Sequence, residues 1–302
     1  MKVSVGIFAH NEEDTIGPAI EGFLAQRTEV AEIAEILVVS CASTDRTVDR
    51  ATRIALSNDV VRVIARPRRE GKIAAINEFL AVAQGEVFVL ASADVMVADD
   101  VVELFVRTFA ADPDCAMVGP RVVPDLGGGT PLVARLHELL WHLHHHVALR
   151  RPKLGEVVAV RAAFVADGLG DLAHCDEVVL EAIVTRRAGR LVYVPDAVVV
   201  NYPPARLRDL YAQRRRIACQ HRGARRLLGY RPATSAIARG FVTGLRPRWP
   251  LLFALAVLEV IARCHGRIDA AVGKRYRAWR SAERSLPRPL RPSRRPIPDR
   301  VE

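Results

Sequence analysis

The chain has 302 residues, half of them apolar and 26% charged, with a formal net charge of +10. That composition can bury a core, which excludes a wholly disordered chain, and glycine without a triplet period excludes collagen. The length suits one large domain or two modest ones. Residues 3–9 form a short apolar run that reads as a strand. A basic segment, a longer apolar run and a small-residue cleavage site do not follow in series there, so a secretory leader is not expected. Polar Asn11-Glu12-Glu13-Asp14 leads into a helical stretch through Gln26, and residues 36–39 make the next strand. Ser43-Thr44-Asp45 suits the start of a helix toward Ser57. A third strand is predicted at 60–64, a helix at 72–83, and a fourth strand at 86–91 ending in Ser92-Ala93-Asp94. Strand and helix alternating in this way predict an α/β fold, a mostly parallel sheet flanked by helices. Such sheets bind ligands beyond the carboxyl ends of their strands, which directs attention to Asn11-Glu12, Ser40-Cys41, Arg66 and Asp94.

Beyond Asp94 the pattern predicts a helix at 98–111, a strand at 115–123, a glycine-rich loop at 126–130 and a histidine-rich helix at 132–149. A strand at 157–160, a helix at 176–188 and a strand at 191–194 before Pro195 follow. Tyr202-Pro203-Pro204 is a natural boundary, because successive prolines resist both helix and sheet. It divides the chain into 1–204 and 205–302. The first part carries 20 Lys and Arg against 28 Asp and Glu, the second 24 against 6. An acidic first part joined to a basic helical region suggests two tasks, the second of which attracts polyanions. That second part reads as an arginine-rich helix at 209–228, an apolar stretch at 250–262 and, from Leu286, a Pro- and Arg-rich end expected to lack fixed structure. Five scattered cysteines (Cys41, Cys115, Cys175, Cys219, Cys264) suggest neither a disulfide framework nor a zinc module, with reduced cytosolic thiols as the default.

Six short segments occur in a telling order. They are Ala9-His10-Asn11-Glu12-Glu13, Ser43-Thr44-Asp45-Arg46-Thr47, Gly71-Lys72-Ile73-Ala74-Ala75-Ile76-Asn77, Ser92-Ala93-Asp94, Cys175-Asp176-Glu177-Val178-Val179-Leu180 and Gln213-Arg214-Arg215-Arg216-Ile217. Together, over residues 3–217, they resemble the family 2 inverting glycosyltransferases of GT-A fold. The resemblance implies that 1–204 is a domain binding a nucleotide-sugar donor. Asp94 matches the last aspartate of the family's Asp-x-Asp and would hold Mg²⁺ or Mn²⁺ against the diphosphate. Ser92 stands at the first aspartate and brings no charge, with Ala93 between them; the alternative for Asp94 is a helix cap. Asn11 and Glu12 match nucleoside contacts, although acidic residues also suit a helix start. Cys41 closes a strand that in many relatives ends in two aspartates, so the base contact made by such a carboxylate is lost. Asp45 is better read as a helix-start residue than as a ligand.

Arg66, Arg68, Arg69 and Lys72 crowd a loop next to the expected diphosphate. Lys72 matches the family's Gly-Lys and Arg66 is a further candidate, whereas Arg68 and Arg69 read individually as solvated charges. Inversion needs one carboxylate to take the acceptor's proton. Aligning Leu180 with the family's Thr-Glu-Asp-x-x-Leu places Glu177 at that base with Asp176 beside it, and the register can slip by one. Both would otherwise merely start a helix. Gln213 and Arg216 match the Gln-x-x-Arg of the family's Gln-x-x-Arg-Trp, where the arginine helps hold the diphosphate. Ile217 replaces the tryptophan, removing a sugar-stacking platform, and processive polymer synthesis is not expected.

His137, His142, His144, His145 and His146 share one predicted helix, read as an acceptor-side or surface element rather than a metal site. The apolar run at 251–258, broken by Glu259 and followed by Arg263, is too short to span a bilayer. Its arginine- and tryptophan-rich flanks suit a bilayer surface, and a helix buried against the catalytic domain is the alternative. The expected protein transfers a sugar to a glycan or lipid-linked acceptor, on the cytoplasmic side of the plasma membrane at an anionic surface, with no specific nucleic acid. Two other readings stand beside it. One is a nucleotide-binding relative without transfer activity; the other is a polyanion-binding protein, for which no nucleic-acid reading surface is evident.

Overall fold

The computed structural model describes residues 1–126, 130–170, 176–231, 249–274 and 276. Cys175, the glycines at 127–129, Arg246, Arg248, Arg275, Trp279 and the end from Leu286 lie outside them. In chain order the elements are β1 (Lys2–Ala9), α1 (Ile16–Leu24), β2 (Glu32–Cys41), α2 (Thr47–Ala55), β3 (Val61–Arg66), α3 (Lys72–Val82) and β4 (Val87–Ser92). There follow β5 (Val95–Val97), α4 (Val101–Ala111), β6 (Cys115–Pro124), α5 (Pro131–Ala148), β7 (Val157–Arg161) and α6 (Asp176–Arg186). Last come β8 (Arg190–Asn201), α7 (Leu207–Leu228) and α8 (Trp249–Ala271).

The strands form a sheet of order β3-β2-β1-β4-β7-β6-β8-β5. β3, β2, β1 and β4 are parallel neighbours, and β6 and β8 are parallel to each other. β7 runs against both β4 and β6, and β5 runs against β8. The sheet is therefore mostly parallel and covered by helices, as the alternation of elements predicts.

Central parallel strands are buried on both faces, so their sequences read as continuous apolar runs. Alternate residues nevertheless serve different layers. Val3, Val5 and Ile7 of β1, Ile36 and Val38 of β2, and Val87 and Val89 of β4 join one core with Ile16, Ile20 and Phe23 of α1 and Phe105 and Phe109 of α4. Phe8, Leu37, Val39, Phe88 and Leu90 face the other way, onto Ile73, Ile76 and Phe79 of α3 and Val179, Leu180 and Val184 of α6. A third cluster joins Val133, Leu136, Leu139 and Leu143 of α5 to Leu210 of α7 and to Leu252 and Leu255 of α8.

Two elements depart from the pattern read in the sequence. β8 continues past Pro195 to Asn201, but its ladder with β6 jumps from Pro120↔Val194 to Arg121↔Val198. Proline has no N–H to donate, so the strand bulges at 195–197 and then resumes. The apolar stretch at 250–262 belongs to a helix of 23 residues. Its contact with α7 is close: a Cβ on Gly266 would lie 2.6 Å from the Arg215 carbonyl oxygen, so only glycine lets the two backbones approach this far. Arg215 pairs with Asp269 through both nitrogens at 2.6 and 2.7 Å, and Arg214 pairs with Glu259.

Candidate active site

A pocket of about 970 Å³ opens beyond the carboxyl ends of β1, β2 and β4, and α5, α6 and α7 complete its walls. Glu12, Cys41, Lys72, Ser92, Asp94, Asp176, Glu177, Gln213 and Arg216 all line it, although more than 200 positions separate the first from the last. Both parts of the chain contribute, with the proposed boundary at 202–204 lying where β8 gives way to α7.

Lys72 is the central cation. Gly71, at φ 99, turns the chain sharply before α3, a conformation that side chains disfavour. Lys72 then directs its Nζ to Asp176 Oδ2 at 2.7 Å and donates to Ser92 Oγ at 3.0 Å. One ammonium thus ties the start of α3 to the start of α6 and the end of β4. Burial works against its charge, but the carboxylates of Asp176 and Glu177 outweigh that cost and hold Lys72 well above the ordinary lysine range. Burial and then the neighbouring Glu177 push Asp176 up to about 6, although Lys72 pulls the other way.

Glu156 joins this acidic group, and nothing local in the sequence singled it out. β7 pairs antiparallel with β4, so Val157 lies opposite Ala91 and the residue before β7 arrives beside the end of β4. Glu156 sits there at φ 64, a left-handed conformation uncommon for a side-chain-bearing residue and one found often at functional sites. Its Oε1 accepts from Asn201 Nδ2 at 3.1 Å. Burial, followed by the charges of Asp94 and Glu177, raises its carboxyl to about 7.

Three of the expected donor-site residues do not line the pocket. Asn11, at φ 54, accepts from the Thr44 N–H at 2.8 Å while its own N–H donates to Ser43 Oγ at 3.1 Å. It fastens the loop after β1 to the loop after β2. Arg66 pairs with Glu78 at 2.5 Å and Glu70 at 2.6 Å, on the α3 side of the edge strand. Its neighbour Arg69, read from sequence as a solvated charge, is exposed and borders the pocket mouth. Ala93 is buried, and its N–H donates to the Phe8 carbonyl at 3.1 Å, bracing β4 against β1.

Asp45 accepts from the Thr47 and Glu13 N–H groups; burial works to raise its carboxyl, but the hydrogen bonds it receives together lower it, as befits a helix-start residue. Glu12 is positioned by Thr15, whose hydroxyl donates to its Oε2 at 3.0 Å. His10 donates through Nδ1 to the Cys41 carbonyl at 2.6 Å, joining the ends of β1 and β2 at the pocket floor.

The histidines of α5 divide between two faces. His137 and His144 are buried and line the pocket beside Trp141, whereas His142 and His146 meet each other on the surface. His145 bonds the Tyr193 hydroxyl at 2.7 Å. Trp141 Nε1 donates to His137 Nε2 at 3.0 Å, which leaves the proton of the neutral ring on Nδ1. Burial drives His137 down to about 4, drives His144 well below its ordinary range, and takes nearby His221 to about 3. This end of the pocket is therefore polar but carries uncharged imidazoles at neutral pH. Among the described residues no group of three or more His, Cys, Asp or Glu is arranged to hold a metal ion.

Glu181, one turn beyond Glu177, is almost wholly buried and accepts from the Leu154 N–H at 2.9 Å and the Tyr230 hydroxyl at 2.9 Å. Burial raises it to about 7, against an unfolded value near 4.3. The folded chain therefore binds the extra proton between these values. Its stabilising effect is complete below about pH 4.3 and is lost as pH rises through about 7. Glu181→Gln, which cannot ionise, is expected to gain on the parent protein by about 3 kcal/mol between pH 5 and pH 8. Denaturant melts at the two pH values measure this directly; equal losses for both proteins would show that Glu181 does not titrate in that window.

A mostly parallel sheet flanked by helices, with further helices at the C-terminal side, is the architecture of the GT-A glycosyltransferases. Residues 4–164, over half the chain, match glycosyl transferase family 2, and the protein belongs to that family. Among solved structures the fold is similar to the mannosyltransferase PcManGT from Pyrobaculum calidifontis in complex with GDP-Man and Mn²⁺. That likeness has a TM-score of 0.62 and 22% identity over 90% of this chain and 86% of the other. It is also similar to the glucosyl-3-phosphoglycerate synthase from Mycobacterium tuberculosis bound to Mn²⁺, UDP and phosphoglyceric acid. There the TM-score is 0.51, with 21% identity over 72% of this chain and 76% of that one. A search of curated proteins gave no match.

Proposed function

We propose that the protein is an inverting glycosyltransferase that moves one sugar from a nucleotide-sugar to a hydroxyl of a lipid-linked or envelope glycan, at the cytoplasmic face of the membrane. The observation that carries this reading is convergence. Glu12, Lys72, Asp94, Asp176, Glu177, Gln213 and Arg216, scattered along the chain, line one pocket. The nucleotides and Mn²⁺ in the two structures of similar fold support the same assignment of the donor edge.

The residues present fit a divalent cation of the Mg²⁺ or Mn²⁺ kind. Asp94 and Glu156 supply hard oxygen donors, and Glu156 lies close enough to Asp94 and Glu177 to feel the charge of both. A cation held by one or two carboxylates and completed by substrate phosphates needs no larger protein cage. When bound, such an ion neutralises charge growing on the departing diphosphate. Arg216 and the start of α3 add positive potential beside it. Glu177, which the register set by Leu180 places at the base position, takes the base role: it accepts the acceptor's hydroxyl proton as the oxygen attacks the anomeric carbon. The nucleoside diphosphate leaves from the opposite side of that carbon, and configuration inverts. The histidine-lined end of the pocket, which Lys153 and Arg214 also border, suits a polar, hydroxyl-bearing acceptor.

Turnover of a panel of nucleotide-sugars with Mn²⁺ tests the reaction. Calorimetry tests the donor edge: Asp94→Asn is expected to abolish Mn²⁺-dependent binding of a nucleoside diphosphate. Unchanged metal-dependent affinity in that variant would remove Asp94 from the site. Nucleotide binding without turnover of any donor or acceptor would favour a relative that has lost transfer.

A further inference from the structure

The outer face of α8 is more apolar than the face it buries. Inward, Leu252, Leu255, Ala262, Gly266 and Asp269 are buried, and Glu259 and Asp269 are neutralised by Arg214 and Arg215 of α7. Outward, Trp249, Phe253, Val257, Val260, Ile261 and Ile268 are exposed, Phe253 to 73% and Val260 to 61%. At 100° per residue these six fall on one side of the helix, together with exposed Cys264 and Ala271. Arg267 and half-exposed Arg263 edge the stripe. A contiguous apolar stripe of this kind marks a contact surface rather than an ordinary wet helix.

We propose that this face of α8 docks in the plane of an anionic lipid bilayer, a role that does not depend on the transferase reading. The charge on the page selects this occupant. Residues 205–302 carry a surplus of 18 positive charges, so a second copy would set like charge against like. Acidic head groups compensate that surplus, and the acyl region beneath them receives Phe253, Val257 and Val260. Trp249, at the exposed start of the helix, suits the head-group level. α8 lies on the surface rather than crossing it. None of the described helices is long and apolar enough to span a membrane, and lifting α8 from the protein would strand Glu259 and Asp269 away from their arginines.

The test uses the full chain and phosphatidylcholine vesicles with and without phosphatidylglycerol. The parent protein is expected to sediment with the anionic vesicles at low salt and to be partly released as salt rises. Phe253→Glu with Val260→Glu should weaken that partition by roughly tenfold or more, because both side chains leave the acyl region. Both positions are exposed, and an unchanged thermal melt and nucleotide affinity would show that the fold and donor site are intact. Equal sedimentation of parent and variant would overturn the proposal. So would failure of the parent to bind anionic vesicles, or a dimer in analytical ultracentrifugation that the two substitutions dissociate. Vesicle binding without any sugar transfer would leave this proposal standing and sink the catalytic one.

Discussion

Glu177→Gln is expected to leave nucleotide affinity intact and to slow sugar transfer by roughly a hundredfold or more, the scale of a lost general base. The amide keeps the size of the side chain at the start of α6 but cannot accept the acceptor's proton. Asp176→Asn acts differently, because Asp176 is the ionic partner of Lys72 at 2.7 Å. Its loss releases the lysine from α6, so donor affinity and rate should fall together. Steady-state rates combined with calorimetry separate the two variants. If Glu177→Gln stays active and Asp176→Asn alone is dead with donor affinity intact, the base lies one residue earlier. Full rates in both would remove the pair from the chemistry.

The second large effect concerns Lys72 itself. Lys72→Met removes the ion pair to Asp176 and the hydrogen bond to Ser92, leaving the Asp176 carboxylate without its ammonium partner. Removing one partner of a largely buried pair costs about 3 kcal/mol. The kinetic consequence has a definite sign. Lys72 favours the ionised forms of both Asp176 and the base Glu177, and Asp176 already stands at about 6, so loss of the cation makes the pair harder to ionise. The acid limb of the pH–rate profile should shift toward higher pH by about one unit, with a rate at pH 7 reduced by roughly a hundredfold. An unshifted acid limb would separate Lys72 from the ionisation of the catalytic pair.

Local pattern carried the first four strands and most of the pocket wall they supply, because in a parallel sheet each strand hands its following residues to the same side. Glu12, Lys72 and Asp94 were legible for that reason. Glu156 was not. It precedes its strand, and only the reversed direction of β7 brings it to the ligand side. Strand direction is decided by non-local pairing and leaves no mark in a run such as Val157-Val158-Ala159-Val160. Arg66 and Arg69 show the same limit at finer scale. Their charges were evident, but Glu70 and Glu78 claim the first, and the second reaches the pocket. Helix α8 was read as a choice between surface and burial because an apolar run cannot show that its two faces have different neighbours.

The ion pairs between α7 and α8 have a mechanical consequence. Arg214 and Arg215 grip Glu259 and Asp269, while Gln213 and Arg216 on either side of them line the pocket. With the two backbones almost touching at Gly266, the helices form a stiff lever whose outer arm faces away from the protein and whose inner arm is a wall of the reaction chamber. That wall is braced from α8 on one side and from α6 and, through Leu210, α5 on the other, and Arg216 is carried on it. Were a support on α8 to shift α7, donor affinity and affinity for that support would have to alter each other by the same factor.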